Sequence, residues 1–286
     1  MSSSVDSFVE FERTPIARLS LSGQRMLDRV MQKLSFLEKS LSEGGFIAGG
    51  FVRQLLVESG ENPEGRDRLF NYFQGGSANG IGGDVDVFFS NRRSCDLALD
   101  VIEPYRPKLS VTGAAHEVSS SFRVQLVTSP PDGPFAGPEE TIRRFDFENV
   151  MAAVVGDEII HSRRFHALED KGLLHIVNGG SPFLVSRIRK YLEHRGLKSL
   201  TDKSVRHVTD WIYRLASDTH TVKPSSTRWM LDWLLQRGWL DAGEIALFLK
   251  KYPIYLSTSG EETYGGEKIC VDWADNKLQT LLKNDQ

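Results

Sequence analysis

Apolar residues recur at three- and four-residue spacing over Met26, Leu27, Val30, Met31, Leu34, Leu37 and Leu41, after Ser22 as a candidate cap and before Gly44-Gly45. Residues so spaced share one face of a helix, so the pattern predicts an amphipathic helix. Phe46-Ile47-Ala48 then predicts a short strand and Gly49-Gly50 a tight turn. Val52, Leu55 and Leu56 form the inner stripe of a second helix ending near Gly60. The stretch from Ser59 to Gly83, with GGSANGIGG at 75–83, predicts a long loop. Beyond it, Val85, Val87 and Phe89 alternate as in a strand with one buried face.

Helical spacing returns at Leu97, Leu99, Val101 and Ile102, followed by strand candidates at Leu109–Val111 and Phe122-Val124-Leu126. The loop SPPDGPFAGP at 129–138 separates these from Phe145–Val155, apolar enough for a buried strand that turns at Gly156-Asp157 into Ile159-Ile160. After Gly179-Gly180 almost everything from Phe183 to Lys251 has helical spacing, broken at Gly196, around Pro224 and at Gly238. Trp211, Trp229, Trp233 and Trp239 are its large core candidates. The fold class expected is therefore α+β: a mixed part over 1–180 and an all-helical part over 181–286.

Composition narrows the class. At 286 residues, 40% hydrophobic and 26% charged, the chain reads as soluble and globular, with room for one large domain or two ordinary ones. Its longest apolar runs fall far short of the roughly 20 residues of a membrane span. The start MSSSVDSFVEFERT lacks the basic and apolar regions of a secretory signal, which points to the cytoplasm. Cys95 and Cys270 are far apart and outside any metal-binding spacing, which argues against a disulfide framework or a zinc site. His161, His166, His175, His194 and His207 show no metal-ligating spacing either.

The net charge of −3 is unevenly divided: residues 1–180 carry 19 Lys and Arg against 25 Asp and Glu, residues 181–286 carry 16 against 13. Arg187, Arg189, Lys190, Arg195, Lys198, Lys203 and Arg206 concentrate the positive charge within 187–206, as a phosphate-facing surface or a solvated helix face would.

Asp84 and Asp86 are two apart on a predicted strand, so both carboxylates share a face while Val85 and Val87 point to the core. Mg²⁺ prefers one or two carboxylates together with substrate phosphates, and a pair of ions can polarise an attacking hydroxyl and steady a pyrophosphate leaving group. Upstream, Gly49-Gly50 at a strand-to-helix turn lets the backbone approach a phosphate and aims helix N–H groups at it. Arg53 in the first turn offers a fork of donors.

AGGFVR at 48–53, DVDVF at 84–88, RFDFENVMAAV at 144–154 and SRIRKYL at 186–192 resemble, in order, four motifs of the polymerase-beta-like nucleotidyltransferases, nearest to the tRNA CCA-adding enzymes and bacterial poly(A) polymerases. The resemblance covers roughly residues 20–195. It implies a nucleotidyltransferase head and a helical neck, with two divalent ions held by Asp84 and Asp86. It further implies a triphosphate turn of Gly49, Gly50 and Arg53, a catalytic Asp146, and nucleotide contacts from Arg187 and Lys190. The chain departs from the family's pattern at Gln54 (usually aspartate), Phe145 (a basic residue), Val150 (asparagine) and Gln125 (a third acid).

Together these point to a magnesium-dependent, template-independent transfer of a nucleoside monophosphate from an NTP, ATP or CTP favoured, to an RNA 3′ end such as that of a tRNA, with the 187–206 segment on the acceptor. Two other readings stay open: a non-catalytic nucleotide- or RNA-binding regulator on the same fold, and a toxin-like enzyme modifying tRNA or protein.

Overall fold

The computed structural model describes residues 9–57, 83–105, 107–109, 115–119, 123–128, 135–180, 184–215, 224–251, 261–264 and 267–270. The predicted loop from Ser59 lies outside these residues apart from Gly83, as does most of the loop at 129–138. Two compact units divide the chain, residues 1–169 and 170–286.

The first unit begins with β1 (Phe11–Pro15) and α1 (Leu21–Lys33). Ser20, not Ser22, caps α1: its backbone is still extended and its Oγ accepts from Gly23 N at 3.0 Å. The single predicted helix is two, because a 3₁₀ turn over Ser35–Leu37 separates α1 from α2 (Glu38–Ser42) while Leu34 and Leu37 stay buried. Then come β2 (Gly45–Ala48), α3 (Gly50–Val57), β3 (Asp84–Phe89) and α4 (Arg92–Ile102). They are followed by β4 (Lys108–Leu109), β5 (Ala115–Ser119), β6 (Arg123–Val127) and α5 (Pro138–Arg143). The unit closes with the hairpin β7 (Ala152–Val155) and β8 (Glu158–Ser162), and α6 (Phe165–Asp170) begins in it.

The eight strands form one sheet in the order β1-β8-β7-β2-β3-β6-β5-β4. β3 and β6 run parallel and the other neighbours antiparallel. One face carries Ile47, Val85, Val87, Val124, Leu126, Val154 and Ile159 into a core shared with Leu27 and Val30 of α1, Phe51, Val52 and Leu55 of α3, and Ala98 of α4. Each such side chain stabilises the unit by about 1.5–3 kcal/mol when fully buried.

The register defines what the opposite face carries. One continuous row crosses all eight strands: Arg13, Ile160, Ala153, Ala48, Asp86, Gln125, Glu117 and Lys108. Paired residues of neighbouring strands share a face, so Asp86 lies between two alanines on one side and Gln125 with Glu117 on the other.

The predicted strand over Phe145–Val155 forms only in its second half. After α5 the chain turns, then makes a 3₁₀ turn over Glu148–Val150 before β7. The apolar character of Phe147, Val150 and Met151 reflects burial of this turn, not strand alternation. Glu148 and Asn149 are buried with them and meet side chains there: Ser162 Oγ donates to Glu148 Oε1, Arg164 stands at ion-pair distance from Oε2, 3.2 Å, and Asn149 donates to Glu169 at 2.8 Å.

Among its described residues the second unit contains β9 (Leu173–Leu174), parallel to β10 (Ser199–Leu200), and the helices α7 (Leu184–His194), α8 (Asp202–Leu215), α9 (Pro224–Gln236) and α10 (Ala242–Lys251). The predicted breaks fall at Gly196, Pro224 and Gly238, both glycines having positive φ. A hairpin of β11 (Glu261–Tyr264) and β12 (Glu267–Cys270) adds strands where the sequence reading has helices alone. Trp211 and Trp233 are buried, whereas Trp239 is 41% exposed. Trp229 donates to Glu193 at 2.7 Å beneath the Arg189 guanidinium. Among the described residues no helix is long and apolar enough to cross a membrane.

Candidate active site

Gly49 ends β2 and opens α3, and it holds φ +88, a conformation that only glycine adopts without strain. Its N–H donates to Ala152 O at 2.9 Å, and its carbonyl receives Arg53 N at 3.0 Å as the first bond of α3. The missing side chain has a second effect. A Cβ placed at Gly49 would stand 3.7 Å from Asp86 Oδ2 and 3.6 Å from Phe145 Cε2. The glycine turn thus opens directly onto one of the paired carboxylates, and the N-terminal end of α3, where the helix dipole is positive, begins at the next residue.

Asp84 and Asp86 alternate with buried Val85 and Val87 on β3, and both are half-buried on the face away from the core. Phe88, two residues on, shares that face. Its ring meets Phe46 at 6.0 Å and Phe145 at 5.5 Å between centroids. Phe145 therefore lies beside Phe88 and the Gly49 turn, next to the face that carries the carboxylates. Two hard carboxylates on one strand face, beside a glycine that leaves the approach clear, fit a hard divalent cation such as Mg²⁺. Asp146 follows Phe145 in the turn and is half-buried.

Arg53 lies in the first turn of α3 as predicted, but it is only 3% exposed. Its Nε and Nη2 donate to the two carboxylate oxygens of Glu169 at 2.9 and 2.6 Å. Asn149 adds a third bond to Glu169, so the helix after the glycine turn, the 3₁₀ turn after Asp146 and α6 are tied together. Glu148, two residues beyond Asp146, is buried and faces Ser162 and Arg164.

Gln125, next to Asp86 on β6, donates through Nε2 to Glu117 on β5 at 3.3 Å. Neither Glu117 nor Glu169 stands out in the sequence. Glu117 sits in AHEVS, a strand with little alternation, and only the sheet register reveals its row. Arg187 and Lys190 stand on α7 in the second unit, one turn apart, with Arg187 exposed. Gly49, Gly50, Asp84, Asp86 and Asp146 all belong to the first unit.

A strand, a glycine turn opening a helix, and a neighbouring strand presenting two carboxylates outside the core thus meet in the α+β first unit. Solved structures define that fold further. A CCA-adding enzyme in complex with ATP aligns with a TM-score of 0.50 at 12% identity, over 78% of this chain and 51% of that one, and gives this chain the CCA-adding enzyme fold, in divergent form. The Thermotoga maritima CCA-adding enzyme complexed with tRNA (TM-score 0.48, 11% identity, 85% of this chain, 55% of that one) and a CCA-adding enzyme with CTP (0.47, 13%, 85%, 55%) are also similar. The chain spans 51–55% of the length of these structures. No family model and no curated protein sequence matches it.

Proposed function

We propose that this protein is a magnesium-dependent, template-independent nucleotidyltransferase that moves a nucleoside monophosphate from an NTP to the 3′ end of an RNA, such as a tRNA. The opening of Gly49 onto the Asp86 carboxylate carries this reading, because a glycine turn suited to a phosphate beside a carboxylate suited to a cation is what such a transfer needs. In this reading Gly49 and Gly50 admit the triphosphate to the end of α3, and Asp84 and Asp86 hold one or two Mg²⁺ ions. When bound, the cations supply charge neutralisation at the phosphates and lower the pKa of the attacking hydroxyl.

The acceptor oxygen forms a bond to the α-phosphorus, the α–β anhydride bond breaks, and pyrophosphate leaves. Asp146 takes the hydroxyl proton. Arg53 acts from behind the turn, held by Glu169, and fixes the start of α3. Arg187 and Lys190 contact the nucleotide, and the 187–206 segment the acceptor backbone. The CCA-adding enzyme that shares this fold was solved with ATP, a ligand of the class proposed for this site.

Incubation with each labelled NTP, Mg²⁺ and a total RNA pool tests the reading. Incorporation is expected for one or two NTPs. It should vanish in Asp84→Ala and in Asp86→Ala with little change in melting temperature, and fall strongly in Asp146→Asn with NTP affinity kept. The engagement of Arg53 by Glu169 favours a second reading, a binding protein without turnover. NTP or RNA binding with no incorporation would select it.

A further inference from the structure

Gln125 stands directly beside Asp86 in the parallel β3–β6 pair, and Glu117 stands beside Gln125 on the other side. All three side chains leave the sheet on the face away from the core, about 4.8 Å apart from strand to strand. Only the amide nitrogen of Gln125 can meet a carboxylate favourably, and it does so, Nε2 donating to Glu117 Oε1 at 3.3 Å. With its nitrogen given to Glu117 on β5, the amide leaves its oxygen outside that bond, on a side chain that stands next to Asp86 in the sheet. Glu117 is balanced in turn by Arg123, whose Nε lies 4.0 Å from the same oxygen. A primary amide oxygen is a hard, neutral donor of the kind that Mg²⁺ and Mn²⁺ accept alongside carboxylates.

We propose that Gln125 is a third protein ligand of the cation held by Asp84 and Asp86, supplying its amide oxygen, and that Glu117 is a positioning residue that fixes the amide in the ligating orientation. This rests on the reading of Asp84 and Asp86 as cation ligands and adds a neutral oxygen to them. A neutral third ligand keeps the charge of the donor set at minus two, where a third carboxylate would make it minus three. The bound cation therefore retains more of its pull on the nucleotide phosphates.

The experiment is a titration of the whole protein with Mn²⁺ alone, free ion being read by electron paramagnetic resonance, with melting temperature recorded for every variant. Gln125→Leu is expected to weaken Mn²⁺ binding about tenfold or more, and Glu117→Ala about tenfold, the usual effect of removing a group that orients a ligand. Gln125→Glu is expected to restore or exceed wild-type affinity. Gln125→Asn, which keeps the amide on a shorter stem and disturbs packing less than leucine, should also lose affinity and covers the case of a leucine variant that does not fold. If Mn²⁺ affinity falls in Asp84→Ala and Asp86→Ala but stays within twofold of wild type in Gln125→Leu, Gln125→Asn and Glu117→Ala, this inference is wrong and the paired-carboxylate reading survives. Wild-type protein that binds no Mn²⁺, or binds it independently of Asp84 and Asp86, overturns both.

Discussion

Arg53 and Glu169, 116 residues apart, close a two-bond ion pair at 2.9 and 2.6 Å with Arg53 only 3% and Glu169 10% exposed. Fork-to-fork geometry of this kind is the strong form of the interaction, and burial makes it unforgiving of a missing partner. Removing one member leaves the other charged and dry. Arg53→Ala or Glu169→Ala should cost about 3–5 kcal/mol by urea denaturation. A paired Arg53→Met/Glu169→Leu replacement should recover part of that loss, and a double variant as unstable as the sum of the single ones would contradict the pairing.

Gly49→Ala separates backbone from chemistry. Its new methyl group meets Asp86 and Phe145 at ordinary contact distances, so the stability loss should be confined to the positive φ, about 1–2 kcal/mol. The methyl group would also fill the approach to the Asp86 carboxylate. Nucleotide incorporation should therefore fall far more than stability does, and an alanine variant with normal incorporation would remove the turn from the site.

His161 couples β8 to β1. Its Nδ1 lies 3.0 Å from Ser162 O and must donate to it, so Nε2 accepts from the Thr14 hydroxyl at 2.9 Å. Burial is the main cause that lowers its pKa below the usual histidine value, with His166 acting the same way, while the Ser162 bond and Glu12 oppose the shift. Because the folded state resists protonation, the unfolded state binds more protons in the window below about pH 6.5. Stability should be full above that value and decline as pH falls through the window toward the lowered folded pKa. His161→Gln should flatten the dependence of melting temperature on pH in that range, and an unchanged slope would place the effect elsewhere.

Arg187 and Arg206 are both exposed on helices of the second unit. If RNA backbone runs along them, the logarithm of affinity should fall linearly with the logarithm of salt, and each charge-neutralising substitution should reduce the slope by about one. Arg187→Gln with Arg206→Gln tests this by filter binding at several salt concentrations. Salt-independent affinity would leave the segment as a solvated face.

The parts of the site that the sequence made legible are those with short-range logic. Alternation placed Asp84 and Asp86 outside the core, and the glycine pair marked the turn that faces them. The RFDFENV segment misled because Phe147, Val150 and Met151 are as apolar as a strand would be, while the 3₁₀ turn there packs against α3 and β8. Glu169 was out of reach because nothing local couples it to Arg53. Glu117 needed the β5–β6 register, which AHEVS does not announce. β1 was missed since FERTP is polar and ends in proline, as an edge strand is permitted to be.

That edge has a bearing on how the molecule behaves in company. β1 occupies the open side of β8 at one margin of the sheet, and β4 stands at the other. The first margin is thus a proline-terminated strand bearing Glu12 and Arg13. A sheet margin of bare apolar backbone would recruit strands from other chains; the charges and the proline of β1 discourage that pairing at its edge.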